Sequence, residues 1–128
     1  MTKANYLNNP FESLIGTNNL SIPSKTILLE EGKIADRLYL IHKGCLRLFF
    51  YNEGKDITFQ FFFEGDFVAS FDSLYRRKPS LFSLESIEPT EVSTIKRDDF
   101  YHLIEQTPSL KQIYEEKLID RFHVYQQL

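Results

Sequence analysis

Leu46-Arg47-Leu48-Phe49-Phe50-Tyr51-Asn52-Glu53-Gly54-Lys55-Asp56-Ile57-Thr58-Phe59-Gln60-Phe61-Phe62-Phe63 is the stretch that decides the fold class. Its first half alternates. Leu46, Leu48 and Phe50 fall on one side of an extended chain, and Arg47, Phe49 and Tyr51 on the other. After the polar Asn52-Glu53-Gly54-Lys55, the second half places Ile57, Phe59, Phe61 and Phe63 on one face. Thr58, Gln60, Phe62 and Glu64 take the other. Two such runs around a short glycine-containing loop predict a β-hairpin. Outward from it, glycines at 32, 44, 54 and 65 recur at intervals of 12, 10 and 11 residues. Turn signals at that spacing between short strand-like runs predict an all-β sandwich or barrel. Ile27-Leu28-Leu29 and Leu38-Tyr39-Leu40-Ile41 supply further strands around Glu30-Glu31-Gly32, and Ser83 to Ile95 reads as more, broken by Glu88-Pro89-Thr90.

The ends read as helical. Asn9-Pro10 followed by Phe11, Leu14 and Ile15 predicts a short helix stopped at Gly16. Asp98 is placed to cap a helix carrying Phe100, Leu103 and Ile104, and Thr107-Pro108 ends it, because proline lacks a donor and restricts the residue before it. From Ser109 a longer helix carries Leu110, Ile113, Tyr114, Leu118, Phe122, Tyr125 and Leu128 at steps of three and four. The stripe is still running at Leu128, which predicts a continuing helix and a partner for its apolar side. No repeat, low-complexity stretch or linker divides the chain. The expectation is one domain over 1–128: a helical segment over about 1–19, a β-roll over 20–96 and helices over 97–128.

Composition narrows the function. A chain of 128 residues with 42% hydrophobic residues suits one domain with a real core. Fifteen Lys and Arg against eighteen Asp and Glu give a net charge of −3, the wrong sign for gripping nucleic-acid phosphates unaided. Twelve Phe and seven Tyr are too much aromatic surface for a disordered chain. The single cysteine, Cys45, excludes a disulfide framework within the chain and fits a reducing, cytoplasmic setting. The longest apolar runs are a few residues, as in Phe61-Phe62-Phe63, and the N-terminus lacks the apolar stretch of a signal peptide.

Catalytic and metal constellations are not legible. A jelly-roll metalloenzyme of the cupin kind needs a His-x-His pair with a nearby carboxylate. His42, His102 and His123 are widely separated, and His42 reads as a turn-flanking surface residue. Haem and iron–sulfur ligation lack their usual ligands as well. Cys45 reads as a small core residue at a strand start. No enzyme and no metal site are expected.

Leu29-Glu30-Glu31-Gly32-Lys33-Ile34-Ala35-Asp36-Arg37-Leu38-Tyr39-Leu40-Ile41-His42-Lys43-Gly44, together with Phe63-Glu64-Gly65-Asp66-Phe67-Val68, resembles the cyclic-nucleotide-binding domain of the Crp/Fnr family of bacterial transcription regulators. The resemblance covers roughly residues 20 to 128. It implies a mainly β fold with flanking helices: a jelly roll of the cyclic-nucleotide-binding type plus a long C-terminal dimerisation helix. It also implies a helix-turn-helix domain beyond 128, so DNA contact belongs outside this chain. In that family the phosphate-binding cassette starts just after the Gly-Asp-Phe seen at 65–67. The family's Gly-Glu, whose carboxylate takes the ribose, corresponds by ungapped counting to Ala69-Ser70. The Arg-Ser pair, whose guanidinium meets the cyclic phosphate, corresponds to Ser80-Leu81. Without the arginine a charge-assisted contact worth roughly 1.5–3 kcal/mol is missing, so a cyclic nucleotide is disfavoured as the effector.

The candidate ligand positions are therefore Ala69, Ser70, Phe71, Asp72, Ser80 and Leu81. Arg76 and Arg77 in the same loop, and Arg121 on the long helix, are the candidates for compensating anion contacts. The dimer seam implied by the resemblance runs through Leu110, Tyr114, Leu118, Phe122 and Tyr125. Two readings stay open beside a small-molecule sensor. One is a sensor that has lost its ligand, with Phe71, Leu74, Leu81 and Phe82 filling the nucleotide's volume; the other is the cupin-like enzyme.

Overall fold

The structure, a computed structural model, describes residues 19–126, with side chains to residue 120. The helix expected over residues 9–16 and the side chains of Arg121, Phe122, Tyr125 and Leu128 lie outside the described residues. The chain divides into two compact units, Met1–Arg97 and Asp98–Leu128.

The first unit holds eight strands: β1 (Asn19–Ile22), β2 (Ile27–Leu29), β3 (Arg37–Lys43), β4 (Leu46–Asn52), β5 (Lys55–Phe62), β6 (Phe67–Val68), β7 (Ser83–Ser86) and β8 (Thr90–Lys96). A short helix, α1 (Phe71–Arg76), stands between β6 and β7. The strands form two four-stranded antiparallel sheets, ordered β1-β8-β3-β6 and β2-β7-β4-β5. Both sheets feed one core of Ile22, Tyr39, Ile41, Leu46, Leu48, Phe62, Val68, Leu84 and Val92. This is the jelly roll that the glycine spacing and the resemblance led us to expect.

The hairpin β4–β5 closes through Glu53-Gly54, between the paired Asn52 and Lys55. Both turn residues have positive φ, 53° and 79°. That is the turn whose twist matches the flanking strands. Gly44, between β3 and β4, is required for a different reason. Its φ is +108°, and a Cβ there would lie 2.5 Å from Thr90 Oγ1 and 2.8 Å from the Pro89 carbonyl oxygen.

Two expectations need correction here. Strict alternation along β5 put Ile57, Phe59, Phe61 and Phe63 on one face, but Phe61 and Phe63 are 48% and 57% exposed while Phe62 is 1% exposed. The cause is a β-bulge. Leu48 pairs with Gln60 and Phe49 with Thr58, so Phe59 is an extra residue in the ladder. One extra residue reverses the phase of everything beyond it. Phe59 therefore packs against the core, and Phe62 rather than Phe61 follows it inward. A similar irregularity in β3, between Ile41 and Lys43, takes His42 out of register. Instead of flanking a turn at the surface, His42 is half-buried and its Nε2 bonds Ser93 Oγ, which donates to Asn19 Oδ1 at 2.6 Å.

The second unit holds most of α2 (Arg97–Gln106) and all of α3 (Pro108–Gln126). Helix α2 starts one residue before the expected cap, so Asp98 and Asp99 lie in its first turn, where carboxylates meet the positive end of the helix dipole. The break falls at Thr107-Pro108. Proline fits a first helical position because its absent N–H would have no partner there, and the Thr107 carbonyl accepts from Leu110 and Lys111 at 3.0 and 3.1 Å. Phe100, Tyr101 and Tyr114 pack edge to face, with the two tyrosine hydroxyls 2.8 Å apart. Leu110 is already covered in the single chain, at 2% exposure, so it does not belong to an open seam. Tyr114 and Leu118 are half-buried. Among the described residues no helix is long and apolar enough to cross a membrane.

Candidate functional site

The segment after Gly65-Asp66-Phe67, where the resemblance puts the start of the cassette, folds into a compact loop and a short helix. Gly65 has φ +89°, and Asp66 Oδ2 accepts from the Phe63 amide at 2.8 Å, closing the turn. Helix α1 follows, with Arg77 at its end in a left-handed conformation, its N–H reaching the Ser73 carbonyl. Ser73 is buried and ties the helix down. Its hydroxyl accepts from the Ala35 amide at 2.9 Å and donates to the Lys78 carbonyl. Arg97 grips the helix from the other side, its Nη2 donating to the Tyr75 carbonyl at 2.9 Å and its Nε to that of Leu74. A cation at carbonyls of a helix C-terminus sits where the helix dipole favours it. The loop leaving α1 is sewn to the β2–β3 connection. Gly32 N donates to Ser80 O at 2.8 Å, Ser80 N to Lys33 O at 2.7 Å, and Ile34 bridges Pro79.

This architecture brings Ser70 and Ser80 together. They are 6% and 3% exposed, and their hydroxyl oxygens are 2.7 Å apart. Ser80 Oγ also lies 2.7 Å from the Phe82 carbonyl oxygen and accepts from the Phe82 amide at 3.1 Å. Ser80 has a single proton, so the set closes when Ser70 donates to Ser80 and Ser80 to Phe82 O. The two positions matched by counting to a ribose carboxylate and a phosphate arginine thus hold neutral hydroxyls bonded to one another. Ala69 is buried beside them.

The other candidates lie farther out. Leu81 is 70% exposed and does not fill the interior. Asp72 and Arg76 pair at 2.8 Å on the outside of α1, with 66% and 59% of their side chains exposed. Arg77 is exposed at the helix end, and Phe71 is half-buried. Leu74 is fully buried under the helix. Phe82 does turn inward, to rings the sequence reading did not single out. It lies 4.6 Å from Phe59 and 5.9 Å from Phe50, and Phe50 and Phe59 are 6.4 Å apart. Phe59 and Phe82 rest against the core and all three rings are half-buried, forming an aromatic face next to the serine pair. Phe59 comes to it through the bulge, which a run of phenylalanines hides from pattern reading.

Two arginine–carboxylate clusters stand apart from the apolar core. Arg47 donates to both Asp56 carboxylate oxygens at 2.7 Å, to Glu85 Oε1 at 2.9 Å and to Thr58 Oγ1 at 2.7 Å, and it lies 3.9 Å above the Phe49 ring. Its hydrogen bonds hold the Asp56 carboxyl below the usual carboxylate range. Arg37 does the same for Asp36. Burial pushes the Cys45 thiol up, away from the thiolate a reactive cysteine needs, and Cys45 is 7% exposed. Among the described residues no group of three or more His, Cys, Asp or Glu is placed to hold a metal ion.

Comparison with known proteins agrees with this fold. The profile of the cyclic nucleotide-binding domain family matches residues 19–107. Among solved structures, the catabolite activator protein of Thermus thermophilus superposes with a TM-score of 0.79 at 22% identity, over 95% of this chain and 60% of its own. A transcriptional regulator from Thermotoga maritima gives 0.78 at 13% identity, over 91% and 92% of the two chains. FixK2 from Bradyrhizobium japonicum gives 0.74 at 15% identity, over 86% of this chain and 54% of its own. At these identities the likeness is one of fold. The chain spans about three fifths of the Thermus protein and about half of FixK2. No curated protein sequence matches the chain.

Proposed function

The chain belongs to the cyclic nucleotide-binding domain family, and we propose that it is the sensing half of a dimeric Crp/Fnr-type transcription regulator whose cassette no longer takes a cyclic phosphate. The observation that carries this reading is the 2.7 Å contact between Ser70 and Ser80. A buried cyclic phosphate needs an opposite charge, and a neutral hydroxyl already bonded to its neighbour supplies none. In this reading the effector is a small molecule bound inside the roll. It acts by population shift, binding one arrangement of the C-terminal helices better than another. The two chains meet along the part of α3 beyond Leu110, and DNA contact is made by a domain outside this sequence, in the cytoplasm.

Thermal-shift and calorimetric titration with cAMP, cGMP and a panel of uncharged metabolites tests it. The expected result is stabilisation by a neutral compound and none by either cyclic nucleotide at concentrations up to about 100 μM. Saturable cAMP binding below that, with the corresponding rise in melting temperature, overturns the neutral-cassette reading. A second reading, a roll that works without any ligand, is favoured by the packing of Phe50, Phe59 and Phe82 against one another. It requires the whole panel to be silent.

A further inference from the structure

Buried polar atoms in folded proteins almost always have a partner, because an unpaired one has given up water for nothing. Gln60 Oε1 departs from that rule: it is shut off from solvent, and no donor reaches it. Its position follows from the bulge. Gln60 stands directly opposite Leu48 in the β4–β5 ladder. Opposed residues of an antiparallel pair share a face, and Leu48 is 1% exposed in the core. The amide is therefore held on the inner side of the second sheet. Phe59 precedes it on the strand, and Phe50 lies two residues beyond Leu48 on the same face of β4, so the acceptor stands beside the aromatic face of Phe50, Phe59 and Phe82.

The surroundings define what would satisfy it. The rings are only half-buried and present flat apolar surface. The cassette serines Ser70 and Ser80 are uncharged and mutually bonded. Arg47 sits on the outer face, paired with Asp56 and Glu85, and Lys55 is exposed at the turn end of β5. Small-molecule sites are built this way, mostly apolar with one or a few placed polar groups that set orientation. We propose that Gln60 is the polar anchor of a site for a neutral, ring-shaped ligand that donates one N–H or O–H hydrogen bond to Gln60 Oε1 and lies against Phe50, Phe59 and Phe82. This rests on the sensor reading above and names the chemical class of its effector.

Two probes separate the donor from the ring. Indole has one N–H; N-methylindole has the same ring system without it. Both are titrated by calorimetry or NMR into the wild-type chain and into Gln60→Leu, with Gln60→Met as the second variant should leucine fit badly. The wild type is expected to bind indole about fivefold more tightly than N-methylindole. Either variant is expected to bind the two equally and to melt no lower than wild type in the absence of ligand, since it removes an acceptor that has no donor. Equal affinity of wild type for the two probes, or an undiminished preference in the variants, overturns the assignment. A lowered melting temperature in both variants does so too, because the amide is then satisfied within the unliganded protein. If both indoles are silent while another uncharged compound stabilises the chain, the Gln60 assignment fails and the sensing role stands. If every compound is silent, both fail.

Discussion

Replacing Ser80 by alanine removes a hydroxyl that three partners share, and the structure sets the cost. Ser80 Oγ contacts Ser70 Oγ at 2.7 Å, Phe82 O at 2.7 Å and Phe82 N at 3.1 Å, at a position 3% exposed. A net hydrogen bond contributes about 0.5–1.5 kcal/mol, and a buried group left unpaired costs at the upper end of that range or beyond. Ser80→Ala strands up to three such groups at a buried position, so the expected loss is about 2–3 kcal/mol. Ser70→Ala breaks one contact and leaves Ser80 bonded to Phe82, for about 1 kcal/mol. The double variant counts the shared bond once, so it is expected to cost about 1 kcal/mol less than the sum of the singles. Urea denaturation of the four chains measures this, provided the slopes agree and only the midpoints move. Strictly additive single effects, or a loss under about 0.5 kcal/mol for Ser80→Ala, would refute the bonded pair and with it the reason for excluding a cyclic phosphate.

Three further outcomes are expected. Gly44→Ala destabilises by about 2–4 kcal/mol, since its φ of +108° and a Cβ 2.8 Å from backbone atoms act together; Gly54→Ala, with open space around its Cβ, loses about 1 kcal/mol, and equal denaturation midpoints for the two would contradict the close approach at Thr90. Arg47→Met leaves the half-buried Glu85 without its cation and strips the ring contact from Phe49, lowering stability by about 1–3 kcal/mol, an effect that 1 M salt does not reproduce in the wild type if geometry rather than long-range charge matters. Burial holds the His42 ring below its ordinary value of about 6.5, so the unfolded chain takes up a proton before the folded one does. Stability is then at its full level above about pH 6.5 and falls as the pH drops below it. Urea midpoints between pH 7.5 and 5 should show that decline in the wild type and a shallower one in His42→Gln.

What the sequence made legible is what depends on local chemistry. Paired positive-φ residues at Glu53-Gly54, glycines at strand ends and proline after Thr107 all act within a few residues, so their consequences are readable along the chain. The β-bulges are not local in that sense. Phe59 is extra only relative to what β4 offers opposite it, and in a run where both parities are phenylalanine the pattern does not reveal the change of phase. The same shift hid Gln60, which alternation alone grouped with Thr58 and Glu64. Counting from the cassette motif identified Ser70 and Ser80 individually. That they bond each other depends on a loop returning over ten residues to Gly32 and Lys33. His42 was misread for a similar reason, since Ser93 and Asn19 reach it from distant parts of the chain.

The Phe61-Phe62-Phe63 run has a consequence for folding fidelity. A strand that slips by one residue ordinarily exchanges its apolar and polar sides and is rejected by the core. Here a slip in either direction still turns a phenyl ring inward, so hydrophobic contact alone does not discriminate the correct alignment of β5 from its neighbours. The discrimination falls to polar atoms outside the core: the turn at residues 53 and 54, which admits one pairing of Asn52 with Lys55, and the Arg47 fork, whose grip on Asp56 and Thr58 fits a single offset. The roll's stability comes largely from its apolar interior, whereas the accuracy with which β5 finds its place is set by a two-residue turn and one guanidinium on the sheet's outer face.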